Sequence, residues 1–220
     1  MSDMPSDVLR RAVLSDLRPV KPLKEPWIRA LVLLPLGLAL LAFVPWRLGV
    51  RHDVHVLAAF YVWGLSLLQI SAGLAVIAAA LTEVVPGRQL RNGRLYVFAG
   101  GFAVAVAVTY ATWLVSGTVA PEQLRAPFWR ICFRMPLELS LPGTVAILAL
   151  AARGVVWRPA LVGSLAGLAS GLMSDAAWRT FCDVSQPSHV LSAHFAAIVV
   201  GTITGAVLAT LWAGFRRSNP

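Results

Sequence analysis

The chain has 220 residues, of which 58% are hydrophobic and only 13% are charged, and its mean hydropathy is +0.73. Soluble domains carry about 25% charged residues, so this composition largely excludes a water-soluble globular enzyme, and a disordered chain as well. The 19 Lys and Arg residues against 10 Asp and Glu give a net charge of +9. In a membrane protein such an excess first indicates loops that stay in the cytoplasm. The composition therefore predicts an all-α integral membrane protein.

The first segment, residues 1–26, is polar and basic, and we expect it to be cytoplasmic. Residues 6–17 are predicted to form a short amphipathic helix that ends before Pro19. Its apolar stripe consists of Leu9, Val13 and Leu17. On the residues alone two surfaces fit this stripe equally well: the anionic inner leaflet of the membrane, or a groove on a cytosolic partner.

Six apolar runs follow, each close to the length that a helix needs to cross a bilayer. They cover residues 27–46, 56–81, 95–115, 135–152, 159–177 and 191–215. A short tail, 216–220, remains. The first run is too long for the apolar core of a signal peptide, so we read it as an uncleaved helix. The predicted architecture is a six-transmembrane-helix bundle with a short N-terminal cytoplasmic amphipathic helix.

The distribution of basic residues predicts the orientation of the bundle. With the N-terminus inside, the cytoplasmic segments hold 13 of the 19 Lys and Arg residues and the opposite side holds 6. The outer six are Arg47, Arg51, Arg125, Arg130, Arg134 and Arg179. The positive-inside rule therefore places both termini in the cytoplasm.

The two cysteines are predicted to lie in outward-facing loops, with Cys132 just before span four and Cys182 just after span five. We favour a disulfide or redox-switchable pair, with inert thiols and metal ligation as alternatives. His189 and His194 follow Cys182 by seven and twelve residues, and Asp175 precedes it by seven. These residues could converge with Cys132 around a metal, although their spacing matches no compact zinc pattern.

Two acidic residues lie within the spans, near their outer ends: Glu138 in span four and Asp175 in span five. Because a carboxylate in hydrocarbon costs a few kcal/mol, we expect both to face the bundle interior or a hydrated cavity. Arg134 and Arg179 are available as their partners, and Gln69 is predicted to form an interhelical hydrogen bond. Together with His189 and His194, the two acids form a possible polar sensor cluster beneath the cysteines.

Small residues predict close contacts between helices. Gly163, Gly167 and Gly171 recur every four residues on span five, and Gly201 and Gly205 do the same on span six. Such grooves allow helix backbones to approach closely in lipid. We expect packing within one bundle rather than a dimer face, and the oligomeric state is not predicted.

The sequence contains no P-loop, GxSxG, HExxH or CxxC motif, so we expect no enzymatic activity. Three hypotheses then remain. The first is a signalling protein that senses through its cysteines. The second is a small-solute or metal transporter with a polar cavity near Glu138 and Asp175. The third, a membrane thiol oxidoreductase, is the weakest because a close cysteine pair is missing.

Several stretches in order resemble the NrsF-type anti-sigma factors, six-span bacterial inner-membrane proteins named for negative regulation of sigma F. The segment Asp16-Leu17-Arg18-Pro19-Val20-Lys21-Pro22-Leu23 resembles the family's DLRPV-R-x-L, and Val85-Pro86-Gly87-Arg88 resembles its S-V-P-G-R. Cys132 before a proline-containing span, the Pro159 and glycine series, and Cys182 follow in the family's register. The chain departs from the family in having Arg179-Thr180-Phe181 ahead of Cys182, where a His usually precedes the Cys. It also has His189 to His194 in place of an aromatic-rich start of span six.

The resemblance implies a membrane-held inhibitor of an extracytoplasmic-function sigma factor, in the bacterial inner membrane with both termini cytoplasmic. It implies that Cys132 and Cys182 are periplasmic and sense metal or oxidative stress, with no cofactor beyond transient binding of a soft metal. The lipid bilayer and the sigma factor are the implied partners, and no direct contact with nucleic acid is expected. The implied contacts with the sigma factor are Leu9, Val13, Leu17, Arg18, Pro19 and Lys21.

Overall fold

The computed structural model describes residues 11, 14–15, 22–55, 60–115 and 126–218. Within these residues the protein is helical, with no strand. The predicted N-terminal helix and its contact residues fall almost entirely outside the described residues. Those contact residues are Leu9, Val13, Leu17, Arg18, Pro19 and Lys21.

Six helices of the described part are long and apolar enough to cross a membrane, which confirms the predicted fold class. We label them α1 to α6 in chain order. They run over Pro26–Leu48, Phe60–Glu83, Gly93–Trp113, Phe128–Ala151, Pro159–Trp178 and Pro187–Arg216. Helical structure extends back to Ala126 at the start of α4 and forward to Ser218 at the end of α6. A turn after Leu31 interrupts α1 before the helix resumes at Leu34.

Helix α4 begins well before the predicted start of span four near residue 135. The predicted span four leaves Arg130 and Arg134 in the preceding loop, but both lie on the exposed side of a continuous helix. Long arginine side chains tolerate such positions because they can carry the guanidinium away from apolar surroundings. Cys132 is therefore inside α4 and buried, and its placement in the preceding loop was wrong.

Helix α5 occupies the centre of the bundle and contacts all five other spans. Its most apolar window is 83% buried, whereas α1, α3, α4 and α6 are only 28% buried over theirs. The helix is rich in Ala, Gly and Ser, so neighbouring backbones can approach it from every side. A change in the position of α5 therefore alters its packing against every other span.

The glycines of α5 and α6 face each other, as expected for packing within one bundle. A Cβ atom on Gly163 would overlap the carbonyl oxygen of Gly205, and one on Gly167 would overlap the carbonyl oxygen of Gly201. Because the obstructing atoms are backbone, no side-chain rotation relieves the overlap. The contact between α5 and α6 consequently depends on glycine at these positions.

The helices alternate in direction, so loops from several spans meet at each end of the bundle. At one end Arg88 pairs with Glu25, and the amide of Val155 donates to the carbonyl of Val84. At the other end the amide of Arg51 donates to the carbonyl of Thr180. We call these the basic end and the cysteine end, because the second carries Cys182.

Replacement of Gly167 by Leu should destabilise the bundle by about 1–3 kcal/mol or more, because the added side chain meets backbone that cannot move aside. The measurement is thermal unfolding of the purified protein in detergent. Gly100→Leu in α3 is the matched control, since no described residue outside the helix's own backbone lies within 4 Å of a Cβ at that position. Equal losses of stability in the two variants would contradict the close contact.

Candidate functional site

Four sulfur- and nitrogen-bearing side chains converge at the cysteine end of the bundle. Cys132 comes from α4, Cys182 from the loop between α5 and α6, and His189 and His194 from the start of α6. One ligand atom from each residue lies within 4.8 Å of the others, and all four residues are buried. We call this group the Cys–His cluster.

The two thiols of the cluster are in direct contact but not bonded. Their Sγ atoms are 3.5 Å apart, and Nε2 of His189 lies 3.9 Å from Sγ of Cys182. Cys132 is 0% exposed and Cys182 is 3% exposed. The hydrogen bond with Cys132 and the burial of Cys182 both raise the pKa of the Cys182 thiol. Because the thiolate is the reactive form, Cys182 is held in its less reactive state.

The local helix geometry explains how two histidines five positions apart reach one site. Leu191–Phe195 form a π-helical turn, and the rings of His189 and His194 lie 5.6 Å apart, edge to face. In a π-helix the hydrogen bonds join residues five apart, so side chains at that spacing come near each other. Such turns are rare and often occur at functional sites.

Asp175 on α5 contacts the cluster through His194. Its Oδ1 accepts a hydrogen bond from Nδ1 of His194 at 2.7 Å, and its Oδ2 accepts from Nε of Arg179 at 2.9 Å and from Nε2 of Gln69 at 2.6 Å. The guanidinium of Arg179 also donates to Thr109 on α3 at 2.8 Å. The carboxylate is fully buried, and its partners connect α2, α3, α5 and α6.

The other ring nitrogen of His194 points to a different role. A carboxylate only accepts hydrogen bonds, so the Nδ1 of His194 carries the proton toward Asp175. Nε2 of the same ring is buried and has no hydrogen-bond partner within the described part of the chain. A buried ring nitrogen without a hydrogen-bond partner is costly, and this one lies beside two thiols and a second imidazole.

Apolar side chains surround the cluster and restrict access to it. Val44, Ala177, Trp178, Val184 and Ala193 pack against the two cysteines, with Phe128, Phe133 and Phe181 among the partly buried neighbours. An apolar shell of this kind excludes water and strengthens electrostatic interactions inside it.

A clasp of polar residues from the loop between α1 and α2 holds the loop that carries Cys182. Arg51 is 3% exposed, pairs with Asp53 and donates to Oγ of Ser185 at 2.7 Å. His52 contacts Asp183 through its backbone amide and through Nδ1, at 2.8 and 2.6 Å. The hydrogen bond with Asp183 raises the pKa of His52. The contact is therefore strongest while the imidazole is protonated, and it weakens as the pH rises through the pKa of His52.

Glu138 does not join the cluster. Its side chain is 45% exposed and pairs with Arg134 one turn earlier on the same helix. The expectation that this carboxylate faces the bundle interior was wrong, because Arg134 partners it on the outer side of α4. Arg134 and Arg179 pair with the two acids, as predicted. Gln69 makes the predicted interhelical hydrogen bond, and its acceptor is Asp175.

Neither the clasp nor the donation from Arg179 to Thr109 is predicted from the sequence. Arg51 was counted only as an outer basic residue, although a pairing with Asp53 two positions away was visible in the sequence. Its contacts with Ser185 and with the loop carbonyls span more than 120 residues. No local pattern indicates contacts of that kind.

Comparison with known protein families identifies the group to which this chain belongs. A family model described as NrsF, negative regulator of sigma F, matches residues 14–213. Comparison with curated proteins and with solved structures gave no significant match. Because the family model covers nearly the whole chain, from the N-terminal segment through α6, this protein belongs to the NrsF family of negative regulators of a sigma factor.

Proposed function

We propose that this protein is a membrane-bound anti-sigma factor for an extracytoplasmic-function sigma factor. Its N-terminal segment sequesters the sigma factor, and a redox or metal signal at Cys132 and Cys182 releases it. The observation that carries the proposal is the convergence of both cysteines in one buried cluster at the end of the bundle opposite the basic loops. A regulator that must report an external stress needs reactive groups on the far side of the membrane from its partner.

The arrangement of the loops supports an orientation with both termini in the cytoplasm of a bacterial inner membrane. The basic end gathers Arg88, Arg91, Arg153 and Arg158 in the loops after α2 and α4, and Arg94 in the first turn of α3. Such a bias favours the cytoplasmic side. The cysteine end then faces the periplasm, where thiols can be oxidised and metals are met first.

The N-terminal segment is the proposed docking element. Its stripe of Leu9, Val13 and Leu17 can insert into a groove on the sigma factor, with Arg18, Pro19 and Lys21 beside it. A helix of about 12 residues is marginal alone in water, so it gains order when it binds. Binding of this kind can be reversed by modest changes in the membrane domain.

The energy required for release sets a limit on the switch. Moving the sigma factor from mostly bound to mostly free takes about 5.5 kcal/mol of differential stabilisation. A single disulfide contributes about 2–4 kcal/mol, so the cysteines need additional changes in packing. Asp175 and its partners, which touch the cluster through His194, are the nearest groups that can contribute.

The structure gives less support to the transporter hypothesis. Asp175 is fully buried among its hydrogen-bond partners, and Glu138 lies on the outside of α4. The two acids therefore do not line the shared polar cavity that a transport pathway near the outer face requires.

The proposed orientation can be tested with one new cysteine at each end. Cys132 and Cys182 are too buried to label well, so both are first replaced by Ser. Val50→Cys at the cysteine end should then react with a membrane-impermeant thiol reagent in intact spheroplasts. Asn92→Cys at the basic end should react only after lysis. Both positions are exposed, and the reverse pattern of labelling would invert the proposed topology.

Docking is tested with one added carboxylate on each side of the predicted helix. Leu17→Asp buries a charge in the interface, and an uncompensated buried charge costs about 3–5 kcal/mol, so binding should fall by at least about 100-fold. Ser15→Asp places the same charge on the opposite side and should have little effect. The measurement is capture of the co-expressed sigma factor. Equal capture by both variants would favour the membrane-surface reading of the stripe.

The two cysteines should act as one unit. Cys132→Ser and Cys182→Ser should abolish the response of a sigma-dependent reporter to peroxide or Cd²⁺ to the same extent, and the double variant should be no worse than either. The N-terminal segment is unchanged in these variants, so basal repression should persist. Additive effects, or a normal stress response in the double variant, would show that the cysteines are not the switch.

A further inference from the structure

We propose that Cys132, Cys182, His189 and His194 form a four-ligand site for a zinc-like divalent cation, Zn²⁺ or Cd²⁺, and that Asp175 positions one of its ligands. This names the ligand of the cluster that the proposed function uses as its sensor, and it rests on that function only for its role in release. It excludes a resting disulfide, because both sulfurs are needed as separate ligands.

The distances in the cluster fit a tetrahedral centre with little adjustment. With Zn–S bonds of about 2.3 Å and Zn–N bonds of about 2.0–2.1 Å, two sulfur ligands lie about 3.8 Å apart and a sulfur and a nitrogen about 3.5 Å apart. The Sγ atoms are 3.5 Å apart, and Sγ of Cys182 is 3.9 Å from Nε2 of His189. No pair among the four ligand atoms is more than 4.8 Å apart. Side-chain rotations alone can close the remaining gaps.

His194 is prepared as a ligand by Asp175. Its Nδ1 donates to the carboxylate, which fixes the ring and leaves Nε2 as the ligand atom once that nitrogen carries no proton. That atom is buried and has no hydrogen-bond partner among the described residues. Metal-binding histidines almost always donate their second nitrogen to a carboxylate or carbonyl. A cation in the cluster would satisfy an atom that the protein otherwise leaves unpaired.

The charges balance when a divalent cation binds. Each thiol loses a proton as its sulfur becomes a ligand, so two thiolates and two neutral imidazoles around M²⁺ give a centre with no net charge. The two protons pass to solvent. Below the cluster, Arg179 already compensates Asp175 at 2.9 Å. A neutral centre suits the apolar shell of Val44, Trp178 and Phe181, where a net charge is expensive.

Four protein ligands also indicate the role of the site. Closed sites with four side-chain ligands hold a metal structurally, whereas catalytic sites keep one position for water. The ligands come from α4, the loop after α5, and the start of α6. A bound cation would therefore add bonds between three segments that otherwise meet through packing and a few hydrogen bonds, such as the one from Trp129 to Ser192.

Direct titration of the purified, reduced protein with Cd²⁺ and Co²⁺ tests the site without any sigma factor. We expect one equivalent of Cd²⁺ with an ultraviolet charge-transfer band of two thiolates, and visible Co²⁺ bands of tetrahedral intensity. His189→Gln should weaken binding and alter the Co²⁺ bands. Among the residues that the structure describes, His189 makes no ion pair whose loss would unfold the protein. An unchanged spectrum in His189→Gln, a signal of fewer than two thiolates, or no binding would overturn the site.

The positioning role of Asp175 has its own matched control. Asp175→Asn should weaken Cd²⁺ binding about 10–100-fold, while Glu138→Gln removes an exposed carboxylate from α4 and should leave the affinity unchanged. Thermal unfolding without metal separates a folding defect from a binding defect. Equal affinities in Asp175→Asn and the wild type would overturn the role of Asp175. Failure of sigma release with intact metal binding would instead count against the proposed function.

Discussion

A single buried carboxylate dictates much of the cysteine end of this protein. Asp175 lies on the most buried helix and has no contact with water. An ion in such surroundings costs several kcal/mol unless other groups compensate it. The compensation comes from Arg179, Gln69 and His194, which belong to three different spans or their ends. Removing one partner leaves an uncompensated charge, so these spans are constrained to keep their relative positions.

That constraint explains why the polar residues of the bundle are organised around α5. The helix contributes Asp175 and ends in the loop that carries Cys182, and its glycines allow α6 to approach closely. His194 connects the carboxylate with the thiols, because it is hydrogen-bonded to Asp175 and lies beside Cys132 and Cys182. A change at the thiols therefore reaches the carboxylate through one side chain, and the carboxylate reaches α2 and α3 through Gln69 and Arg179.

The number and type of elements could be predicted because the signals for them are local. Runs of about 20 apolar residues identify the spans, and a four-residue glycine period identifies the α5–α6 contact. The convergence of the cluster could not be predicted in the same way. Five residues of α-helix turn about 500°, which leaves His189 and His194 about 140° apart. Only the π-helical turn brings them together, and the sequence carries no simple signal for it.

Glu138 is a residue for which the prediction from sequence was wrong. An acid in an apolar run was read as an interior residue because an unpaired charge in lipid is costly. The same cost is avoided when an arginine four residues earlier covers the carboxylate on the outside of the helix, as Arg134 does. Asp175 has an arginine four residues later, Arg179, in a similar spacing. Sequence spacing alone does not separate these two cases; the helix on which each pair lies, central or peripheral, decides which acid becomes part of the site.

Rigid coupling at the cysteine end makes a long-range effect on the N-terminal segment physically reasonable. Packed helices respond to strain by shifting as bodies, because their interiors are dense and hard to compress. Here α5 and α6 are in backbone contact through Gly163, Gly167, Gly201 and Gly205, so one cannot slide past the other without a clash. A displacement that starts at the Cys–His cluster is then carried along both helices to the basic end. There Arg29 of α1 already holds the carbonyl of Leu150 at the end of α4, and α1 is the helix that continues directly from the N-terminal segment.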